Sequence, residues 1–275
     1  MNLSSLFPTE WPWFFALTLA ISATGFIRLV YFVSIGYAFS ITALAVLAGA
    51  LFYRQLGPLA WAHLGLLALY GVRLGTFLVS RERSPSYQTE LDEVQRRNRK
   101  MSIFTRFGIW ISVALLYLCM FSPGLLRAHA LAQGRAEPLP WLTILGLAVM
   151  AGGLGLEGLA DFQKSRFKKT APKRFCDRGL FRLVRCPNYL GEITIWSGSL
   201  LAGISAWNHP LQAVPGILGT ICIVLIMMGS TKRLETKQDA RYGSDPEYQA
   251  YVKKVPVLFP FLPIYSLKNI KVYLE

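Results

Sequence analysis

The side chains of this sequence best suited to chemistry gather in one stretch, Arg178-Gly-Leu-Phe-Arg-Leu-Val-Arg-Cys-Pro-Asn-Tyr-Leu-Gly-Glu192. Arg178, Arg182 and Arg185 supply cations suited to an anionic ligand. Pro187 fits the first turn of a helix, where its missing N–H is not needed. Asn188 and Glu192 then fall at i and i+4, on one face of a segment that continues as apolar sequence. An amide and an acid on one stripe of a membrane-depth helix are costly unless they face a partner, a cavity or a ligand. The same residues also fit a plainer arrangement, in which positive charge flanks a membrane span and two polar side chains pack.

Upstream, Glu157, Asp161, Lys164 and Lys168 recur at i, i+4, i+7 and i+11, a helical stripe that passes from apolar into basic sequence. A salt-bridged helix end would carry the same pattern. Tyr70 and Arg73 share a face at i and i+3, with Arg73 inside an apolar run. That Arg either has an intramembrane partner or reaches the basic edge nearby. Gly153-Leu-Gly-Leu-Glu-Gly158 matches GxGxxG, but a dinucleotide fingerprint needs a preceding strand and a βαβ unit. Here the glycines interrupt apolar helix. With Ala148/Gly152 and Ala151/Gly155 they are expected to permit close helix contact. His63, His129 and His209 lie far apart without HExxH spacing and read as helix-end or interface residues, so no metal is expected. Cys119, Cys176, Cys186 and Cys222 show no CxxC spacing and indicate neither a disulfide nor a zinc framework.

The elements that must position these residues are legible in the composition. Of 275 residues, 53% are hydrophobic and 16% charged. The apolar residues come in runs of the length that crosses a bilayer, about 20 residues. Seven such runs lie at roughly 11–31, 34–53, 58–80, 103–127, 139–160, 187–207 and 210–230. The first lacks a basic leader and a small-residue cleavage site and reads as a retained helix. Of the 29 Lys and Arg, seven lie in 81–106, nine in 164–185 and eight in 232–271. With seven spans these segments share one side, and the positive-inside rule makes it the cytoplasm, with the N-terminus outside. The net charge of +14 is therefore membrane topology, and nucleic acid is not an expected partner. Loop 81–102 is expected to carry a short surface helix from Tyr87 to Lys100, facing anionic headgroups or covering a cofactor mouth. The expected fold is all-α, a polytopic integral membrane protein of one domain, with two N-terminal spans in 1–60 and a core in 61–275.

Several motifs resemble one family. "GLFRLVRCPNYLGE" is similar to the "GL(F/W)R..RHPNY.GE" signature of the steroid 5-alpha-reductase-like membrane reductases, including their bacterial branch. It also resembles the "PNYLG" region of the sterol C14/C7 reductases. Cys186 stands where the family usually has His. Asp161-Phe-Gln-Lys-Ser-Arg-Phe167 resembles the "DxQKxxF" element, and Tyr70-Gly-Val-Arg73 the Tyr-x-x-Arg of the third span. The ending from Lys232 through Arg233, Glu235, Lys237, Gly243, Tyr248 and Tyr251 resembles one shared with isoprenylcysteine methyltransferases.

This resemblance implies a membrane-embedded, NADPH-dependent reductase of a carbon–carbon double bond, akin to a 3-oxo-5-alpha-steroid 4-dehydrogenase. It implies a lipid-like substrate from the bilayer and, in a bacterium, residence in the inner membrane. Tyr70 would face the substrate carbonyl as a hydrogen-bond donor. Asp161 and the basic residues after it would contact NADPH, which places Glu157, Lys164, Arg166, Lys168, Arg178, Arg185, Asn188, Tyr189, Glu192, Arg233 and Glu235 in the expected cofactor set. Asn188 and Glu192 would take neutral hydrogen-bonding groups such as the nicotinamide amide or ribose. One departure concerns the second span, where steroid reductases carry a Glu that works with the Tyr. Residues 34–53 hold no acid, only Ser34, Tyr37 and Ser40. Two other readings stand beside this one: an S-adenosylmethionine-dependent lipid or prenylcysteine methyltransferase, and a non-enzymatic membrane protein.

Overall fold

The computed structural model describes residues 7–83, 85–97, 101–137 and 139–270. Regular structure among them is wholly helical: α1 (Trp11–Ser22), α2 (Ile35–Phe52), α3 (Pro58–Glu82), α4 (Pro85–Arg97), α5 (Ile103–Ala132), α6 (Pro140–Thr170), α7 (Pro187–Ile204), α8 (Ala213–Tyr242) and α9 (Pro246–Lys254). Prolines open α3, α4, α6, α7 and α9, where the ring's fixed φ suits the first turn. Among the described residues, five segments are long and apolar enough to cross a bilayer: Leu29–Phe52, Pro58–Glu82, Ile103–Ala132, Pro140–Thr170 and Pro210–Tyr242. This is the architecture of a membrane protein. Each of the seven apolar runs contains a helix, but α1 is short and α7, with 18 residues, falls outside the spanning set.

The first run breaks for a steric reason. Any side chain on Gly25 would overlap the Phe32 ring, so the chain turns there through two short 3-10 segments. Arg28 between them is extended, and its Nη1 donates to Gln88 Oε1 of α4 at 3.0 Å. It therefore bonds to a protein side chain. α4 matches the expected surface helix over its described part, while Ser84 and residues 98–100 lie outside the described residues.

The chain groups into two compact units. One comprises residues up to 147 with 199–219, the other 148–198 with the residues from 220 onward. In the first, α2 and α3 form a tight hairpin, and a Cβ on Gly71 would collide with Thr42 and the Ala38 carbonyl. Several of its buried polar groups bond inside the unit. Tyr37 and Tyr70 share a hydrogen bond of 2.9 Å, and His63 Nε2 lies 2.9 Å from Ser199 Oγ. Thr143 and Ser205 hydroxyls lie 2.7 Å apart. Arg127 pairs with Glu137 and donates to the Leu59 carbonyl at 3.0 Å. Burying such groups without partners would cost several times what each bond returns. His209 caps a short turn through Leu211 N, and His129 lies 3.3 Å from Glu10, so the three histidines sit at helix ends and contacts as expected.

In the second unit, α6 and α7 cross at glycine. A Cβ on Gly191 would stand 2.8 Å from the Gly153 carbonyl and from Glu157 N. Gly153 therefore fills the close-contact role expected of the glycine cluster. Gly152 and Gly155 do not: both face open space, because their side of α6 turns away from α7.

Candidate functional site

The stripe on α6 reaches two different environments. At its deep end Glu157 is buried, and Glu192 on α7 is buried beside the Gly191 crossing. Asp161 is half-buried one turn on, and Lys164 and Lys168 follow toward the helix end. By the helical rise of 1.5 Å per residue, the stripe from Glu157 to Lys168 covers roughly 16 Å.

After α6 the chain turns sharply. Gly179 sits at φ +60°, and a side chain there would run into the Gln163 amide. Gln163 Oε1 accepts from Leu180 N at 2.9 Å, which pins the Gly-Leu-Phe-Arg turn against α6. Phe181 goes into a small core with Ala160 and Cys176. Phe175 packs with Tyr242 and Tyr248 in a second core. Tyr251 O–H donates to the Phe181 carbonyl at 2.7 Å and Tyr248 O–H to Asp239 Oδ1 at 2.8 Å. Burial raises the pKa of both phenols well above its usual value, with Asp239 adding to the rise for Tyr248, so both stay protonated.

Between these walls lies a cavity of ≈ 150 Å³. Lys164, Lys168, Arg185, Lys237 and Arg241 line it, together with Phe175, Phe181, Tyr242 and Tyr251, and no carboxylate is among its lining residues. Lys168 is held in place by the Pro172 and Arg174 carbonyls and by the Tyr242 hydroxyl at 3.0 Å. Lys168 and Arg241 each lie 5.4 Å from the Tyr242 ring centroid, within cation–π reach. Arg185 is enclosed: Nη2 pairs with Glu235 at 2.9 Å and also donates to the Tyr265 carbonyl. The second Glu235 oxygen accepts from Leu267 N at 2.8 Å. One buried ion pair thus joins α8, the basic turn and the C-terminal tail. Cys176 also lines the cavity, with its thiol pKa raised by burial. Cys186, one residue past Arg185, is fully enclosed, and burial pushes its thiol up to about 11.

Of the expected cofactor set, Lys164, Lys168 and Arg185 meet in this cavity. Glu235 stands behind Arg185. Glu157 and Glu192 lie at the α6–α7 crossing, and Asn188 and Tyr189 are half-buried in the first turn of α7. Arg166, Arg178 and Arg233 are exposed and do not line the cavity. Arg178 lies over the Phe167 ring at 5.9 Å, and Arg233 donates to Ser230 Oγ at 3.0 Å. Tyr70 belongs to the first unit, fully buried and bonded to Tyr37. Sequence reasoning missed Lys237, Arg241, Tyr242 and Gln238. Their signal was present: Leu234, Lys237, Gln238, Arg241 and Tyr242 recur at i, i+3, i+4, i+7 and i+8, one face of the polar extension of α8.

A family model matches residues 14–255, and the description it carries is "Protein of unknown function (DUF1295)". No curated protein and no solved structure matches the chain.

Proposed function

We propose that this chain, which belongs to the DUF1295 family, a family of membrane proteins, is an NADPH-dependent reductase of a carbon–carbon double bond in a lipid-like substrate. The observation that carries this reading is the cavity lined by five cations and four aromatic rings without a carboxylate. At ≈ 150 Å³ such a site suits one phosphorylated end of a ligand and a ring beside it, with the rest of the ligand outside the cavity. NADPH has both, and its 2′-phosphate is mostly dianionic near neutral pH. S-adenosylmethionine is a sulfonium cation without phosphate, and this lining repels it. That charge argument puts the methyltransferase reading second.

In this reading Lys164, Lys237 and Arg241 neutralise phosphate, while Lys168 and Arg185 hold the cavity's shape and add to its field. Asp161, Glu157 and Glu192 accept hydrogen bonds from ribose hydroxyls or the carboxamide, with Asn188 beside them on α7. When bound, the cofactor supplies a hydride to one carbon of the double bond; the other carbon takes a proton. Tyr70 would donate a hydrogen bond to a substrate carbonyl, a role that rests on the Tyr-x-x-Arg resemblance. We assign seven crossings, with α1 and α7 completing the five long spans, and the basic segments on the cytoplasmic side.

The test is a thermal-shift titration of detergent-purified protein with NADPH, NADH and S-adenosylmethionine, paired with alkylation of Cys176. A ligand at 100 times its Kd adds ~2.7 kcal/mol of stability. NADPH should raise Tm more than NADH and should protect Cys176 from N-ethylmaleimide. Stabilisation by S-adenosylmethionine alone would overturn the assignment. Accessibility of single cysteines placed in loops 53–57 and 205–209 from the two sides of sealed vesicles tests the topology.

A further inference from the structure

The C-terminal tail carries an apolar tip on a rigid mount. After α9 the chain closes a loop in which Val257 N donates to the Ile264 carbonyl at 2.9 Å and Leu262 N to that of Phe259 at 3.3 Å. Val257 and Leu258 point inward and are fully buried, whereas Phe261 at the tip is 95% exposed and Leu262 50%. The tip sequence Phe259-Pro-Phe-Leu-Pro263 contains no polar side chain. Its base is fixed on both sides: Arg185 N and Cys186 N donate to the Pro256 and Val257 carbonyls at 2.9 and 3.1 Å, and Arg185 Nη2 donates to the Tyr265 carbonyl.

The depth of this loop follows from α8. The apolar part of α8 runs from Ala213 to Gly229, about 26 Å at 1.5 Å per residue, close to the hydrocarbon thickness of a bilayer. The next turn begins with Lys232, whose Nζ donates to the Ile270 carbonyl at 3.3 Å, and Glu235 of the same turn holds Leu267 N. The tail is therefore tied to the first polar turn beyond the apolar run, the level of the headgroups. Lys253 and Lys254 at the end of α9, before the loop, and Lys268 after it are exposed, and Lys268 also pairs with Asp239.

We infer that the Phe259–Pro263 tip is an interfacial anchor that inserts into the anionic leaflet on the side of the basic segments. Phe261 and Leu262 enter below the headgroups while the lysines meet lipid phosphate. An exposed apolar tip on a loop flanked in sequence by exposed lysines is complementary to an anionic bilayer surface, apolar below and negative above. The inference is independent of the cofactor assigned to the cavity.

Phe261→p-benzoylphenylalanine in the full-length protein tests it, with irradiation in nanodiscs of phosphatidylcholine with or without phosphatidylglycerol. The exposed position tolerates the larger ring, and an unchanged Tm verifies the fold. The expected product is a lipid adduct. Its yield should be several-fold higher in the anionic discs and should fall toward the neutral-disc yield in the Lys253→Ala/Lys254→Ala variant. Each lysine near an anionic surface contributes roughly fivefold, about 1 kcal/mol. Absence of a lipid adduct, or a cross-linked dimer in its place, would overturn the anchor. Equal yields in both lipids would overturn the anionic surface as its partner.

Discussion

The two units treat polar side chains in opposite ways. In the first, Tyr37 meets Tyr70, His63 meets Ser199, and Arg127 meets Glu137, so polar groups pair inside an apolar bundle. In the second, the buried Arg185–Glu235 pair underlies a cavity whose lining residues include five cations and no carboxylate. Paired polar groups fix which helix faces meet. Accumulated charge of one sign repels itself and lowers its energy by taking up an anion. Buried polarity alone thus does not mark a site; charge of one sign gathered around a cavity does.

The sharpest way to break this contrast is through the frame of the cavity. Glu235→Ala leaves Arg185 buried without its acid and should cost about 3–5 kcal/mol, read as a large fall in Tm and release of the tail to proteolysis. A loss near zero would mean that the ion pair is not the keystone of the second unit. Next comes pH. An unfolded thiol titrates near 8.5, whereas enclosed Cys186 holds its proton up to about 11. The folded state binds the extra proton between these values, so stability falls as pH rises from about 9 to 11. Its loss there should be on the order of 3 kcal/mol. Cys186→Ala should flatten that part of the Tm profile.

Gly191→Val drives a branched side chain into the α6 backbone and should cost about 1–3 kcal/mol, with Gly155→Ala, which meets open space, as the neutral partner experiment. The cavity lining behaves differently. Lys164→Ala or Arg241→Ala should each weaken NADPH about tenfold, or ~1.4 kcal/mol, while leaving Tm without ligand unchanged or slightly raised. A fall in unliganded Tm with unaltered affinity would place these cations in the frame and erase the distinction between the units. Smallest is Tyr37→Phe, which removes one hydrogen bond from the first unit and should cost about 0.5–1.5 kcal/mol with no change in NADPH affinity.

How much of this was legible in the sequence depends on the range of the interaction. Runs of hydrophobicity and helix-opening prolines at 58, 140, 187 and 246 are local, and they located the helices closely. The α6 stripe is local too, and it led to Lys164 and Lys168. Arg185 was named as a ligand group because nothing nearby in sequence reveals a partner 50 residues away. The α1 break depends on the Phe32 ring meeting Gly25, and the hydropathy of 11–31 runs straight through it. The choice of Gly153 over Gly152 and Gly155 needed the facing helix, since spacing alone offers all three.

The span between Arg185 and Tyr265 also has a consequence for how the protein is made. The carbonyl that completes the Arg185 cradle lies 80 residues downstream, and its acid 50 residues downstream. At about 5–20 residues per second, translation leaves the guanidinium waiting roughly 4–16 s for its last partner. Biogenesis is therefore ordered from the end: the second unit closes only when the tail emerges. A chain that ends before residue 235 lacks the acid that pairs with Arg185, and one that ends between 235 and 265 has the ion pair but not the carbonyl that completes its cradle.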